Sequence, residues 1–258
     1  MADGFSHDDY IDAVAGEIDK MAWIADGADP AAPVPSCPGW TMAKLITHTG
    51  TVHRWVTEIV ATRATDPVSP RSLDLGLPEK ESDYAGWIAE GAPDLMDALR
   101  AAGPDTQVWT WGPGGTSGWW ARRMLHETTV HRADAELASG GTPRVDAAVA
   151  ADGIDEFLAN LPSARAPREH LAELPAGQSL HLHATDADAG SGGGEWLIRF
   201  TGTGIEVERG HAKATAAVRG PVAPLLLFAY GRIPADDERL EVLGDESLPA
   251  TWQRKAAL

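Results

Sequence analysis

Apolar positions recur every three or four residues through most of the first 160 residues, then give way to short runs that alternate apolar and polar. The first series, Tyr10, Ile11, Val14, Ile18, Met21 and Trp23, predicts a helix capped by Ser6 or Asp8 and closed near Gly27 and Asp29-Pro30. A turn-rich stretch through Pro33, Pro35, Pro38 and Gly39 follows. The spacing of Leu45, Val52, Trp55, Val56 and Ile59 predicts a second helix over about 41–63. A third helix is expected over about 83–102, with an interruption at Gly91-Ala92-Pro93, and a fourth over about 116–138, ending at Gly140-Gly141. Another helical stretch, near 145–161, would complete or brace the bundle.

Beyond Pro162 the texture changes. Pro167, Pro175 and Gly177 form a connector, and strands are expected over about 179–184, 195–201, 205–209 and 214–218, with turns at 190–194 and 203–204. Pro221 opens a helix through Leu225, Leu226, Leu227 and Phe228, a further strand is expected over 240–243, and a short helix ends the chain. The pattern thus predicts two domains, helical over 1–165 and α+β over 175–258. No internal repeat is present.

With 258 residues and 43% hydrophobic content, the chain has enough apolar material for a proper core. The formal charge of −17 argues against nucleic acid and anionic membrane surfaces as partners. No basic-then-apolar leader and no apolar stretch near membrane-span length are present, so a cytoplasmic protein is expected. Cys37 is the single cysteine, which excludes an intrachain disulfide and a thiolate-rich zinc cage. Any metal site must use nitrogen and oxygen. Ten tryptophans are present, and Trp109, Trp111, Trp119 and Trp120 crowd one segment, where they are expected to be core or wall, with a substrate-facing role for one or two as the alternative.

Three residues carry chemistry. His48 falls in the series Leu45, His48, Val52, Trp55, Ile59, and Glu127 and His131 in the series Trp120, Met124, Glu127, His131, Ala135, so all three are expected on inward helix faces. A buried ionised carboxylate needs a partner. A divalent cation held by His48, Glu127 and His131 would supply it and leave one coordination position open. The alternative is an ordinary core network, with Glu127 paired to Arg123 one turn away. The string His126-Glu127-Thr128-Thr129-Val130-His131 is not a zincin motif, because its histidines are five apart and about 140° out of register. His53 and His126 are expected at the surface or behind the ligands. His181 and His183 share one face of a strand but have no evident third ligand. Cys37 reads as a buried thiol without a recognisable basic partner.

Cys37-Pro38-Gly39-Trp40-Thr41, Leu45-Ile46-Thr47-His48, His53-Arg54-Trp55, the run from Trp119 to Glu127, and His131-Arg132 together resemble the mycothiol-dependent maleylpyruvate isomerase family. Val218-Arg219-Gly220-Pro221, Leu225-Leu226-Leu227 and Tyr230-Gly231-Arg232 extend the resemblance over nearly the whole chain. It implies a DinB-like four-helix bundle followed by a small, sterol-carrier-protein-like α+β domain. It also implies zinc on His48, Glu127 and His131, mycothiol as thiol cosubstrate, and a catalytic Arg232 that could hold a substrate carboxylate. Without the family, Arg232 reads as an arginine meeting the last carbonyls of a helix. Where the family often has a second tryptophan after His-Arg, this chain has Ala133 and then Asp134, expected to alter the far side of the pocket.

The expected function is therefore that of a thiol-dependent metalloenzyme, an isomerase or an S-transferase. Its partners would be a small-molecule thiol and a small electrophile, and it would be a monomer or a homodimer. A hydrolase using metal-activated water and a non-enzymatic, zinc-stabilised small-molecule binding protein are the alternatives. A requirement for thiol separates the enzymatic readings.

Overall fold

The structure is a computed structural model that describes residues 4–164, 170–186 and 194–256. It divides into two compact units, Gly4–Pro143 and the chain from Arg144 onward. No helix among the described residues is long and apolar enough to cross a membrane.

In the first unit, α1 (His7–Asp26) starts at a capping box: the Ser6 hydroxyl accepts from the Asp9 amide, and the Asp9 carboxylate accepts from the Ser6 amide. Its series buries Ile11, Val14, Ile18 and Met21, but Trp23 is 81% exposed, because the helical turn carries position 23 past the edge of that stripe. The Thr41 hydroxyl caps α2 (Met42–Ala61). The third rod is broken as expected, into α3 (Tyr84–Glu90) and α4 (Ala92–Ala102), with Pro93 in the first turn of α4. The break frees the Trp87 carbonyl, which accepts from Arg54 at 2.7 Å, while the guanidinium lies over the Trp87 ring.

Almost every side of α5 (Ser117–Ala138) is buried, so it is the central rod, packed on α1 and α2. That position explains why a helix rich in polar residues lacks a polar outer face: Arg123, His126, Thr128, Thr129, His131, Arg132 and Asp134 are all buried. Arg132 is 1% exposed and joins Glu17 of α1 at 2.6 Å and Glu136 at 3.0 Å. The tryptophans wall the start of α5: Trp120 is fully buried, its indole donates to the Trp109 carbonyl at 2.8 Å, and Trp55 and Trp119 lie against it.

The second unit begins earlier than the sequence texture suggests. The helix expected to brace the bundle, α6 (Ala147–Asn160), belongs to the second unit. Its apolar face decides this: Phe157 packs on Tyr230 and Trp252, and Asp155 accepts from the Trp196 indole at 2.8 Å. The unit boundary therefore falls between Pro143 and Arg144 rather than near residue 165.

Five strands, β1 (Ser179–Ala184), β2 (Glu195–Phe200), β3 (Ile205–Arg209), β4 (Ala216–Gly220) and β5 (Glu241–Gly244), form one sheet in the order β3-β2-β1-β4-β5. Among the described residues β1 and β4 run parallel, and the other neighbouring pairs are antiparallel. Leu180, Leu182, Trp196, Ile198, Phe200 and Val218 are buried, and α7 (Val222–Ala229) packs on β1 and β4. The helix α8 (Ser247–Ala256) packs on β4 and α7. Pro167 of the connector, and Gly190 to Gly193 of the predicted turn, lie outside the described residues.

Candidate metal centre

The segment from Val34 to Thr41 is a tight loop that returns to the start of α2. The Val34 amide donates to the Trp40 carbonyl, the Trp40 amide to the Cys37 carbonyl, and Gly39 adopts φ +81°, a conformation that glycine takes without steric cost. The loop lays Trp40 beside the two imidazoles, with ring centroids 4.9 Å from His48 and 5.9 Å from His131.

The three expected ligands converge. Nε2 of His48 lies 3.2 Å, and Nε2 of His131 3.3 Å, from the same oxygen, Oε1 of Glu127. Tetrahedral donors at about 2.1 Å from a zinc ion stand about 3.4 Å apart, so the spacing fits a single cation. Arg123 donates to the other oxygen, Oε2, at 3.2 Å. The core-network contact and the convergence of ligand types thus occur together, on different oxygens.

His48 is less inward than its series implies: its side chain is 37% exposed, against 10% for His131. A partly open edge is where an incoming molecule would reach the group. Burial alone would push the Glu127 carboxyl up. The hydrogen bonds from His131 and His48, with the charges of His131 and Arg123, outweigh it and hold the carboxyl well below its usual range. For His131, burial favours the neutral ring, but hydrogen bonds with Asp134, Cys37 and Glu127, and the charge of Glu127, raise its pKa well above the ordinary histidine value.

Two family domains match the chain: the Mycothiol maleylpyruvate isomerase N-terminal domain over residues 12–136, and the MDMPI C-terminal domain over residues 148–251. The chain belongs to this family. Solved structures similar to it include a mycothiol-dependent maleylpyruvate isomerase at 13% identity and a histidine-to-alanine mutant of a mycothiol-dependent maleylpyruvate isomerase at 12%. Each has a TM-score of 0.59 and covers 92% of this chain and 93% of its own. At such identity the likeness is one of fold, and it runs through both domains. No curated protein sequence matches the chain.

This family member surrounds its candidate ligands with groups that sequence patterns did not assign. Asp134 is fully buried and its Oδ2 accepts from Nδ1 of His131 at 2.9 Å, so it touches a candidate ligand rather than the far side of the pocket. The offset of three residues along one helix was the available signal. Cys37 has neighbours after all: its thiol donates to the same Asp134 oxygen at 3.3 Å, and Cys37, His131 and Asp134 form a buried cluster. His131 and Asp134 lie 94 and 97 positions from Cys37 in sequence, beyond any local pattern. His53 and His126 are buried, not superficial, and His53 Nε2 lies 2.9 Å from the Thr128 hydroxyl. Burial above all lowers the pKa of His53 to about 3; Glu127 opposes this, and Arg54, His131 and His48 add to it.

Arg232 lies just past α7. Gly231 turns the chain with φ +74°, and the guanidinium donates to the Tyr230 carbonyl at 2.8 Å. This is the helix-end contact expected of an arginine there, and the side chain stays partly exposed.

Proposed function

We propose that this protein is a mycothiol-dependent metalloenzyme in which His48, Glu127 and His131 hold a divalent cation, zinc by the chemistry of the donor set. The reading rests on one observation, the approach of two imidazole nitrogens and one carboxylate oxygen to within 4.8 Å of one another. When bound, the cation supplies the positive charge that lets a small thiol lose its proton at neutral pH.

The protein's own groups prepare the site. Asp134 holds a proton on Nδ1 of His131, which leaves Nε2 as the donor nitrogen. Arg123 draws Oε2 of Glu127 aside and leaves Oε1 between the imidazoles. Glu127, occupied as a ligand, is not the general base. Trp40 gives the imidazoles an apolar wall.

The substrate in this reading is a small electrophile, attacked by mycothiol either for cis–trans isomerisation or for thiol transfer. In isomerisation the thiolate would add to a conjugated cis double bond, the conjugated carbonyl taking up the electron pair, and rotation about the resulting single bond followed by elimination would return the thiolate with the trans product. Arg232 is assigned to a substrate carboxylate, a task suited to a planar guanidinium, on the strength of the family resemblance.

Metal analysis of purified protein with and without His48→Ala tests the ligand set: the variant should lose metal, and unchanged content would end the assignment. Turnover at an undiminished rate in the absence of thiol would remove mycothiol from the scheme. Arg232→Lys should raise KM for a carboxylate substrate more than for an uncharged electrophile; equal effects would reassign Arg232 to the helix end.

A further inference from the structure

The second unit contains a separate cluster of metal-ligating side chains. His181 and His183 point to the same face of β1, and the antiparallel register sets His183 directly opposite Glu195 on β2. The β2–β3 register would bring residue 210 opposite Glu195, and the Gly210 amide donates to the Glu195 carbonyl at 3.1 Å. Gly210 has φ +124°, where a side chain would be strained, and this bend turns His211 back over the same carboxylate. Nδ1 of His183 lies 2.6 Å, and Nδ1 of His211 2.9 Å, from Oε1 of Glu195.

Donor atoms of His181, Glu195 and His211 all lie within 4.8 Å of one another. The third ligand that the His181 and His183 pair lacked in the sequence is thus supplied by strand pairing. His181 is 3% exposed, and its Nε2 is buried with no hydrogen-bond partner among the described residues. An orphaned buried nitrogen costs free energy unless something meets it. Burial, chiefly, lowers the His181 pKa and favours the neutral ring, against the pull of Glu195 and of a backbone hydrogen bond to Gly210. Neutral imidazole is the form that binds metal.

We infer that His181, Glu195 and His211 form a second zinc site, with His183 holding Glu195 in place. Nitrogen and carboxylate oxygen suit a borderline cation such as zinc rather than calcium or magnesium, which take oxygen alone. The ion would join β1, the start of β2 and the turn after β3, and so act as a staple for one end of the sheet.

The test uses full-length protein stripped with a chelator, re-equilibrated with Zn2+ and desalted before metal analysis. His211→Ala and Glu195→Gln are compared with the unsubstituted chain, alone and with His48→Ala present. The His211 side chain is 78% exposed, so its removal spares the core. Each variant should hold one equivalent of zinc fewer, and the same difference should persist with His48→Ala, whatever the helical unit binds. Equal zinc content with and without these substitutions would overturn the site. So would imidazole nitrogen resonances of His181 and His211 that do not shift when Zn2+ is added.

Discussion

Asp134 accepts a hydrogen bond from Nδ1 of His131 at 2.9 Å, and by doing so points the opposite nitrogen of that ring at Glu127. A carboxylate behind a ligating imidazole fixes its tautomer and raises its basicity, and loss of such a partner typically weakens metal binding about 10–100-fold. Asp134→Ala should therefore weaken zinc binding by about that factor in a chelator competition. An unchanged affinity would show that Asp134 serves packing alone.

His53 supplies a pH dependence with a definite sign. In the folded chain its pKa is about 3, against 6.5 for an ordinary histidine. Between these values the unfolded chain holds a proton that the folded one lacks, so stability falls as pH falls. The cost vanishes above 6.5 and grows by about 1.4 kcal/mol per pH unit at most through the window. Urea denaturation of metal-free protein should show a steeper loss on acidification for the unsubstituted chain than for His53→Gln, and parallel slopes would contradict this.

Glu17 on α1 and Arg132 on α5 form a nearly dry ion pair, and Glu136 is the second carboxylate on the same guanidinium. Removing one partner of a buried pair leaves a charge uncompensated. Glu17→Ala should cost about 3 kcal/mol, read as a lower denaturation midpoint with the same denaturant slope. A loss within measurement error would mean that Glu136 alone suffices.

Gly50 lets α2 approach α3: a Cβ there would stand 2.3 Å from the Trp87 ring. Gly50→Ala forces the indole or the helix to move, and should destabilise the chain by about 1–3 kcal/mol despite alanine's better helix propensity. Thermal unfolding measures it; a stabilised variant would refute the close approach.

Most of the helices and strands were legible because they bury one stripe or one face, which writes a period into the sequence; α5, buried on almost every side, is the exception. The break at Gly91-Ala92-Pro93 was legible for the same local reason. The placement of α6 was not, since an amphipathic helix records that it packs but not on what; Phe157 meeting Tyr230 and Trp252 resolved that. The triad was legible only in part: His131 lies on a buried face as its spacing implies, whereas His48, read as inward, is 37% exposed, and the Pro-Gly-Trp lead-in was the further signal.

By itself, then, the sequence determined most of the elements and the family, and excluded a thiolate-rich zinc cage, but not a site that includes the Cys37 sulfur, which the buried cluster of Cys37, His131 and Asp134 would offer. Tertiary structure alone decided which distant groups share a point in space: Cys37 with Asp134, Trp40 with two imidazoles, and His211 with Glu195 across paired strands. The reason is one of range. Periodicity reports a residue's own helix or strand, whereas these pairs are fixed by packing and strand register between segments far apart along the chain.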